Sequence, residues 1–144
     1  MISNMNEPTY TGRCFCGEVQ FKVTGPDMYA CHCHCESCRR AAGAPFVTWA
    51  TFARDKLAIT SGTIVEHHST PEVTRGHCGV CGTSLTYEHA DRAGQIDITL
   101  TSLDDASQIE PRAHIWIQDK VPWLCIDDDL PQYQTTASAG AVKH

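Results

Sequence analysis

Three observations predict a mainly β fold with little helix. Short β-rich runs alternate with period two, turn residues interrupt them at close intervals, and helical periodicity never extends beyond a turn or two. Residues 18–24 alternate apolar and polar side chains, Gly25-Pro26-Asp27 breaks the run, and residues 28–33 resume it. Residues 46–52, 57–60, 63–67, 84–87, 96–100 and 114–117 read as further strands, with Asp55, Ser61-Gly62, Ala93-Gly94 and Pro111 among the separators. The single helical candidate is 35–42. Nothing repeats at a fixed period and no internal linker divides the 144 residues. One domain is therefore expected over 1–134, followed by a small, polar, mobile tail over 135–144.

With 42% hydrophobic and 19% charged residues, the chain has the composition of a globular domain. No apolar run approaches the roughly 18 residues of a membrane span. The first ten residues lack the basic and apolar regions of a signal peptide. A cytoplasmic protein with no membrane partner is expected, in a compartment where thiols stay reduced. The formal net charge of −6 argues against a nucleic-acid partner, and metal-bound thiolates would make it more negative still.

Eight of the nine cysteines fall in three tight groups: Cys14-x-Cys16, Cys31-x-Cys33-x-Cys35-x-x-Cys38 and Cys78-x-x-Cys81, with Cys125 alone. A disulfide framework would scatter its cysteines to close sizeable loops, whereas C-x-C and C-x-x-C pairs present two thiolates to one ion. Zinc is the first expectation, and iron is compatible with a thiolate site. Neither the first nor the last pair fills a tetrahedral ion. Together Cys14, Cys16, Cys78 and Cys81 make a closed site that clamps distant parts of the chain, so that metal binding becomes part of folding. Each pair is followed by a glycine, Gly17 and Gly82, which relieves crowding where backbone amides turn toward sulfur.

In an extended strand Cys31, Cys33 and Cys35 share one face and His32 and His34 take the other, and the backbone is expected to leave the strand near Cys35. Cys33, Cys35 and Cys38 then supply three ligands. A strand carries the Cys31 thiol roughly 6–7 Å from Cys33, which leaves it outside the set. Three ligands leave a fourth position open to substrate, as in catalytic zinc sites. Alternatively a water, a histidine or Cys31 completes a second structural site; the spacing permits either.

The ordered motifs resemble a known family, the glutathione-dependent formaldehyde-activating enzymes and their relatives, which include centromere protein V. Gly12-Arg13-Cys14-Phe15-Cys16-Gly17 resembles the opening C-x-C-G motif, and Cys33-His34-Cys35-Glu36-Ser37-Cys38-Arg39-Arg40 is similar to the central C-H-C-x-x-C-R element. Ala44-Pro45-Phe46 follows. His77-Cys78-Gly79-Val80-Cys81-Gly82-Thr83-Ser84-Leu85 resembles the later C-x-x-C-G element. His114-Ile115-Trp116, Pro122-Trp123 and Leu130-Pro131-x-Tyr133 resemble the closing segment. The resemblance implies an Mss4-like zinc-bound β-sheet fold. It also implies two Zn²⁺ per chain, one on the first and third cysteine groups and a catalytic one on Cys33, Cys35 and Cys38. The implied activity is that of a carbon–sulfur lyase: glutathione and formaldehyde combine reversibly to S-hydroxymethylglutathione, so a small thiol and an aldehyde are the expected partners.

On that reading Arg39 and Arg40 could hold a substrate carboxylate, since guanidinium forks suit planar carboxylates; surface charge or an Asp/Glu partner is the competing role. His34 reads as a proton shuttle or as a ring satisfied by its surroundings. Phe46, Trp49, Trp116 and Trp123 could wall a pocket over the ion, with His114 beside Trp116 on the same face of a strand; core packing competes for each. Two other classes fit the composition: a zinc-stabilised protein-interaction module, and a thiol redox or metal-buffering protein using Cys31, Cys33, Cys35 and Cys38.

Overall fold

The computed structural model describes residues 7–137 and 141–142. Its strands are β1 (Thr9–Arg13), β2 (Gln20–Thr24), β3 (Tyr29–Cys33), β4 (Val47–Ala53), β5 (Leu57–Ser61) and β6 (Ile64–Thr70). They continue as β7 (Val73–Cys78), β8 (Ser84–His89), β9 (Gln95–Thr99), β10 (His114–Ile115), β11 (Gln132–Tyr133) and β12 (Ala141–Val142). Among the described residues there is one α-helix, α1 (Glu36–Ala42), which follows β3. The fold is mainly β with little helix, as the alternation predicts. No helix among the described residues is long and apolar enough to cross a membrane.

Two sheets form. The smaller is antiparallel in the order β1-β2-β5, and the larger runs β12-β11-β10-β3-β4-β9-β8-β7-β6. All pairings are antiparallel except those of β10, which lies parallel to both β3 and β11. Alternation decides what each face buries. Tyr10, Phe21 and Val23 of the small sheet join Ala30, Ala50, Phe52, Leu85 and Ile98 of the large one in the main core. The opposite face of the large sheet carries a second apolar cluster, in which Cys33, Cys38, Val47 and Trp49 pack with Tyr87, Ile115 and Trp116.

Register also builds a polar row across that second face. Tyr29 pairs with Thr51, Thr51 with Asp97, Asp97 with Tyr87 and Tyr87 with Arg75, so all five side chains emerge on one side. Asp97 is 7% exposed. It accepts a hydrogen bond from Thr51 Oγ1 at 2.6 Å and an ion-paired one from Arg92 Nη2 at 2.7 Å. These partners satisfy a carboxylate that burial alone would make costly.

Several boundaries differ from the sequence reading. The strand expected over 114–117 ends at Ile115, because Trp116 adopts a left-handed conformation (φ 59°) and a 3₁₀ turn, Ile117–Asp119, follows. The helix begins one residue late, with Cys35 as its N-cap: the Cys35 sulfur accepts a hydrogen bond from Cys38 N at 3.2 Å. β1, β7 and the two-residue β11 and β12 were not anticipated as strands. His67 and His68 lie in β6 and pair with β7, and His89 ends β8. Of the tail expected over 135–144, residues 138–140 and 143–144 lie outside the described residues. Thr135 is tied in, its carbonyl accepting from Trp116 N at 2.8 Å, and Ala141 pairs with Tyr133.

Phe52, fully buried between the sheets, sets the first expectation: Phe52→Ala lowers the unfolding free energy of metal-loaded protein by about 3–5 kcal/mol in denaturant titration. Arg92→Ala strands the Asp97 carboxylate and costs about 1–3 kcal/mol in the same assay, reduced because the Arg92 side chain is itself 37% exposed.

Candidate metal centres and active-site cavity

Seven cysteines meet in two groups. Cys14, Cys16, Cys78 and Cys81 bring their sulfurs within 4.8 Å of one another, and so do Cys33, Cys35 and Cys38. Both groups could hold a metal ion, and all nine cysteines are free thiols. In the first group the Cys14–Cys16 and Cys16–Cys78 sulfur separations are 3.6 and 3.8 Å. A tetrahedral ion with zinc–sulfur bonds of 2.3 Å needs edges of about 3.8 Å, so the donors fit such an ion.

The local backbone explains this convergence. Cys14 and Cys16 leave the end of β1, and Cys78 is the last residue of β7, so the group joins the small sheet to the large one. The two turns are built alike: Gly17 N donates to Cys14 O, and Gly82 N donates to Cys78 O. Both glycines have φ above 80°, a conformation that costs a side-chain-bearing residue strain. Backbone amides point at the sulfurs, Val19 N at Cys14 and both Val80 N and Cys81 N at Cys78, at 3.3–3.4 Å. Phe15 N donates to Thr83 Oγ1 at 2.9 Å, lacing the turns together. Four sulfurs leave such an ion no open position.

The second group floors a cavity of about 560 Å³ on the exposed side of β3 and β4. Trp49, Tyr87 and Trp116 wall it, and Cys31, Arg75 and Asp97 reach its lining. Trp49 and Tyr87 stand with ring centroids 5.8 Å apart. Arg75 sits over the Tyr87 ring at 4.9 Å and donates from Nη1 and Nη2 to the Cys38 sulfur at 3.8 and 3.7 Å. A larger groove of about 850 Å³ lies beside the four-cysteine group. It touches no member of the three-cysteine group, so the smaller cavity is where an open coordination position would face a ligand.

Three adjacent thiols cannot ionise independently. Hydrogen bonds from the Cys33 and Cys35 thiols, helped by Arg75, hold the Cys38 thiol far below its ordinary range, to about 2. The same sharing with Cys35 and Cys38, together with burial, drives Cys33 far upward. One proton-poor sulfur facing a guanidinium is a soft, anionic cradle suited to a thiophilic cation. Cys31 is different: burial, then the Asp97 charge, pushes its thiol up to about 12. It lines the cavity as a neutral small residue. Cys125 is exposed.

The structure distributes the other candidates widely. Trp49 lies in the cavity, and so does Trp116. Phe46 and His114 sit on the opposite face of the large sheet, where Phe46 packs on the rings of His32 and His34 at 5.2 and 5.1 Å. The left-handed turn at Trp116 breaks the alternation that would have put His114 and Trp116 on one side. Trp123 is 71% exposed and lines no cavity with the cysteines. Arg39 lies outside the cavity lining, with its Nε buried and without a partner, and Arg40 pairs with Glu36 one turn back at 2.9 Å. Arg75 and Tyr87 were missed from sequence. An arginine three residues before the C-x-x-C pair was visible, but its approach to Cys38 depends on the register of β7 with β8.

The chain is similar to known proteins in sequence and in fold. An uncharacterized lyase of Schizosaccharomyces pombe is 24% identical over 113 residues, covering 78% of this chain and 82% of the relative. A solved structure of a Rhodobacter sphaeroides protein superposes with a TM-score of 0.57 at 20% identity, covering 71% of this chain and 92% of that one, a likeness of fold. Residues 9–119 match the family described as glutathione-dependent formaldehyde-activating enzyme, a span that contains both cysteine groups and all three aromatic walls of the cavity. The chain belongs to that family.

Proposed function

We propose that this protein is a zinc-dependent carbon–sulfur lyase acting on the adduct of a small thiol and an aldehyde, of the kind glutathione forms with formaldehyde. The observation that carries the reading is the contrast between the two cysteine groups. Four sulfurs close one site between the sheets, and three sulfurs floor a cavity lined by aromatic rings and a guanidinium. Cys14, Cys16, Cys78 and Cys81 would hold a structural ion, and Cys33, Cys35 and Cys38 a catalytic one. When bound there, the ion lowers the pKa of a substrate thiol and polarises a carbonyl.

The chain's own side chains account for the rest. Arg75 offsets the negative charge that three thiolates concentrate at one point, which keeps the centre receptive to a further anionic sulfur. Trp49, Tyr87 and Trp116 exclude water from the reacting atoms and strengthen the electrostatics among them. In the synthetic direction a carbon–sulfur bond forms as the thiol adds across the aldehyde, and the thiol proton ends on the oxygen. The lyase direction breaks that bond and returns the proton. On this reading the substrate contacts are Trp49, Tyr87, Arg75 and Trp116.

Native mass spectrometry is expected to find two zinc ions per chain, one removed by a chelator without unfolding. Cys35→Ser should keep one zinc and lose the acceleration of glutathione–formaldehyde exchange, measured by NMR. A single zinc in the native protein, or silence across a panel of thiols and aldehydes with both zincs present, would overturn the reading.

A further inference from the structure

The face of β3 opposite the cavity carries a second cluster of functional groups, which the lyase reading leaves unused. His34 is fully buried and His114 is 3% exposed. His34 Nε2 lies 2.8 Å from His114 Nδ1, and His114 Nε2 lies 2.7 Å from Asp128 Oδ2. His32 stacks on His114 with centroids 4.7 Å apart and turns its Nδ1 to Thr48 Oγ1 at 2.8 Å. The backbone holds the same groups: His34 N donates to Ile115 O, His114 N to Pro131 O, and Leu130 N to Asp128 Oδ1. His34 Nδ1, buried, has no partner.

Counting protons along this chain gives it a direction. A carboxylate only accepts, so His114 Nε2 carries the hydrogen that faces Asp128. A neutral His114 then offers a lone pair at Nδ1, and His34 must donate from Nε2. Its unpartnered Nδ1 is left as a bare lone pair, which burial tolerates better than an orphaned N–H. The same count weighs against a cation held by His32, His114 and Asp128, although their ligating atoms lie within 4.8 Å of one another. An ion on His114 Nε2 would move that proton to Nδ1, oblige His34 to accept, and leave an N–H stranded at His34 Nδ1.

His34 is the residue between Cys33 and Cys35, and rotation of its peptide would swing both sulfurs. We propose that Asp128, acting through His114 and His34, is a positioning residue for the three-cysteine centre: it locks the Cys33–Cys35 segment so that the sulfurs converge before an ion arrives. The inference rests on the reading of Cys33, Cys35 and Cys38 as metal ligands. A ligand set held in advance loses less conformational freedom on binding; hydrogen bonds made directly to ligating side chains typically contribute ten- to a hundred-fold in metal affinity, and support acting through the residue between two ligands is expected at the lower end.

Asp128 is the place to test it, because its side chain is 41% exposed and can be truncated without opening the core. Zinc-loaded native protein, Asp128→Ala and, as a control that removes the same charge from the same turn, Asp127→Ala are mixed with a chromophoric chelator. The phase missing in Cys35→Ser marks the central site. Asp128→Ala should release zinc in that phase about tenfold faster and shift the thiolate-to-metal absorption bands of the cobalt-substituted centre. The slow phase should stay unchanged, and Asp127→Ala should match native protein in both. Long-range ¹H–¹⁵N spectra of the native protein should show His34 and His114 with the proton on Nε2. A native-like fast phase and spectrum in Asp128→Ala overturns the proposal, as does equal acceleration of both phases. So does a third zinc in native protein that is absent from Asp128→Ala. A native protein holding one zinc instead sinks the reading of the central site, and this inference with it.

Discussion

The two-residue alternation of β3 is the constraint on which the site depends. Successive side chains of a strand point to opposite faces, so Cys31 and Cys33 are separated from His32 by geometry alone, and His34 continues on the histidine side. Thiol chemistry is thereby confined to the side where Trp49, Tyr87 and Arg75 stand. The paired His34 and His114 rings, with His32 and Phe46 against them, stand on the other. A one-residue slip of β3 against β4 would exchange the two and put imidazoles where sulfurs must meet. Register with β4, in which Cys31 faces Trp49 and Cys33 faces Val47, is therefore part of how the candidate metal site is built.

A large sheet flanked by one short helix cannot bury both faces with helices, and this chain meets the difficulty in two ways. The small sheet covers one face, and four cysteine sulfurs meet where β1 and β7 end, at a place where an ion would fasten the two sheets. The other face stays partly open and becomes the cavity. Seven thiols in two groups would repel one another if they all ionised without a counter-charge, and the opposed behaviour of Cys33 and Cys38 shows that conflict within one group. A cation bound in either group would relieve it and would tie folding to metal supply.

Much of this was legible in the chain because it is local. Spacing within C-x-C and C-x-x-C pairs identifies sulfurs that converge through a single turn, and period-two runs identify β2, β3, β4 and β9 directly. β1 and β7 were hidden because Gly12, Arg75, Gly76 and His77 interrupt the alternation of side chains that marks a strand. Gly76 is needed where it stands: a Cβ there would collide with Thr86 and Ile64. Arg75 and Tyr87 reach the cavity through pairings between strands, which no short window of sequence contains. His114 and Trp116 diverge because one residue takes a left-handed conformation, a local event that alternation cannot announce.

The stretch that follows residue 119 lies beyond the family match, yet it supplies Asp128 to the buried histidines and Thr136 and Ala137 to the cavity rim. The cysteine groups lie within the family match, and part of the cavity rim lies beyond it. The rim can therefore change without touching the cysteine groups, and with it the width of the opening that any ligand of the cavity meets. Tags or fusions placed near this segment would be read out at the mouth of the cavity, making the position of an added sequence an experimental variable in its own right.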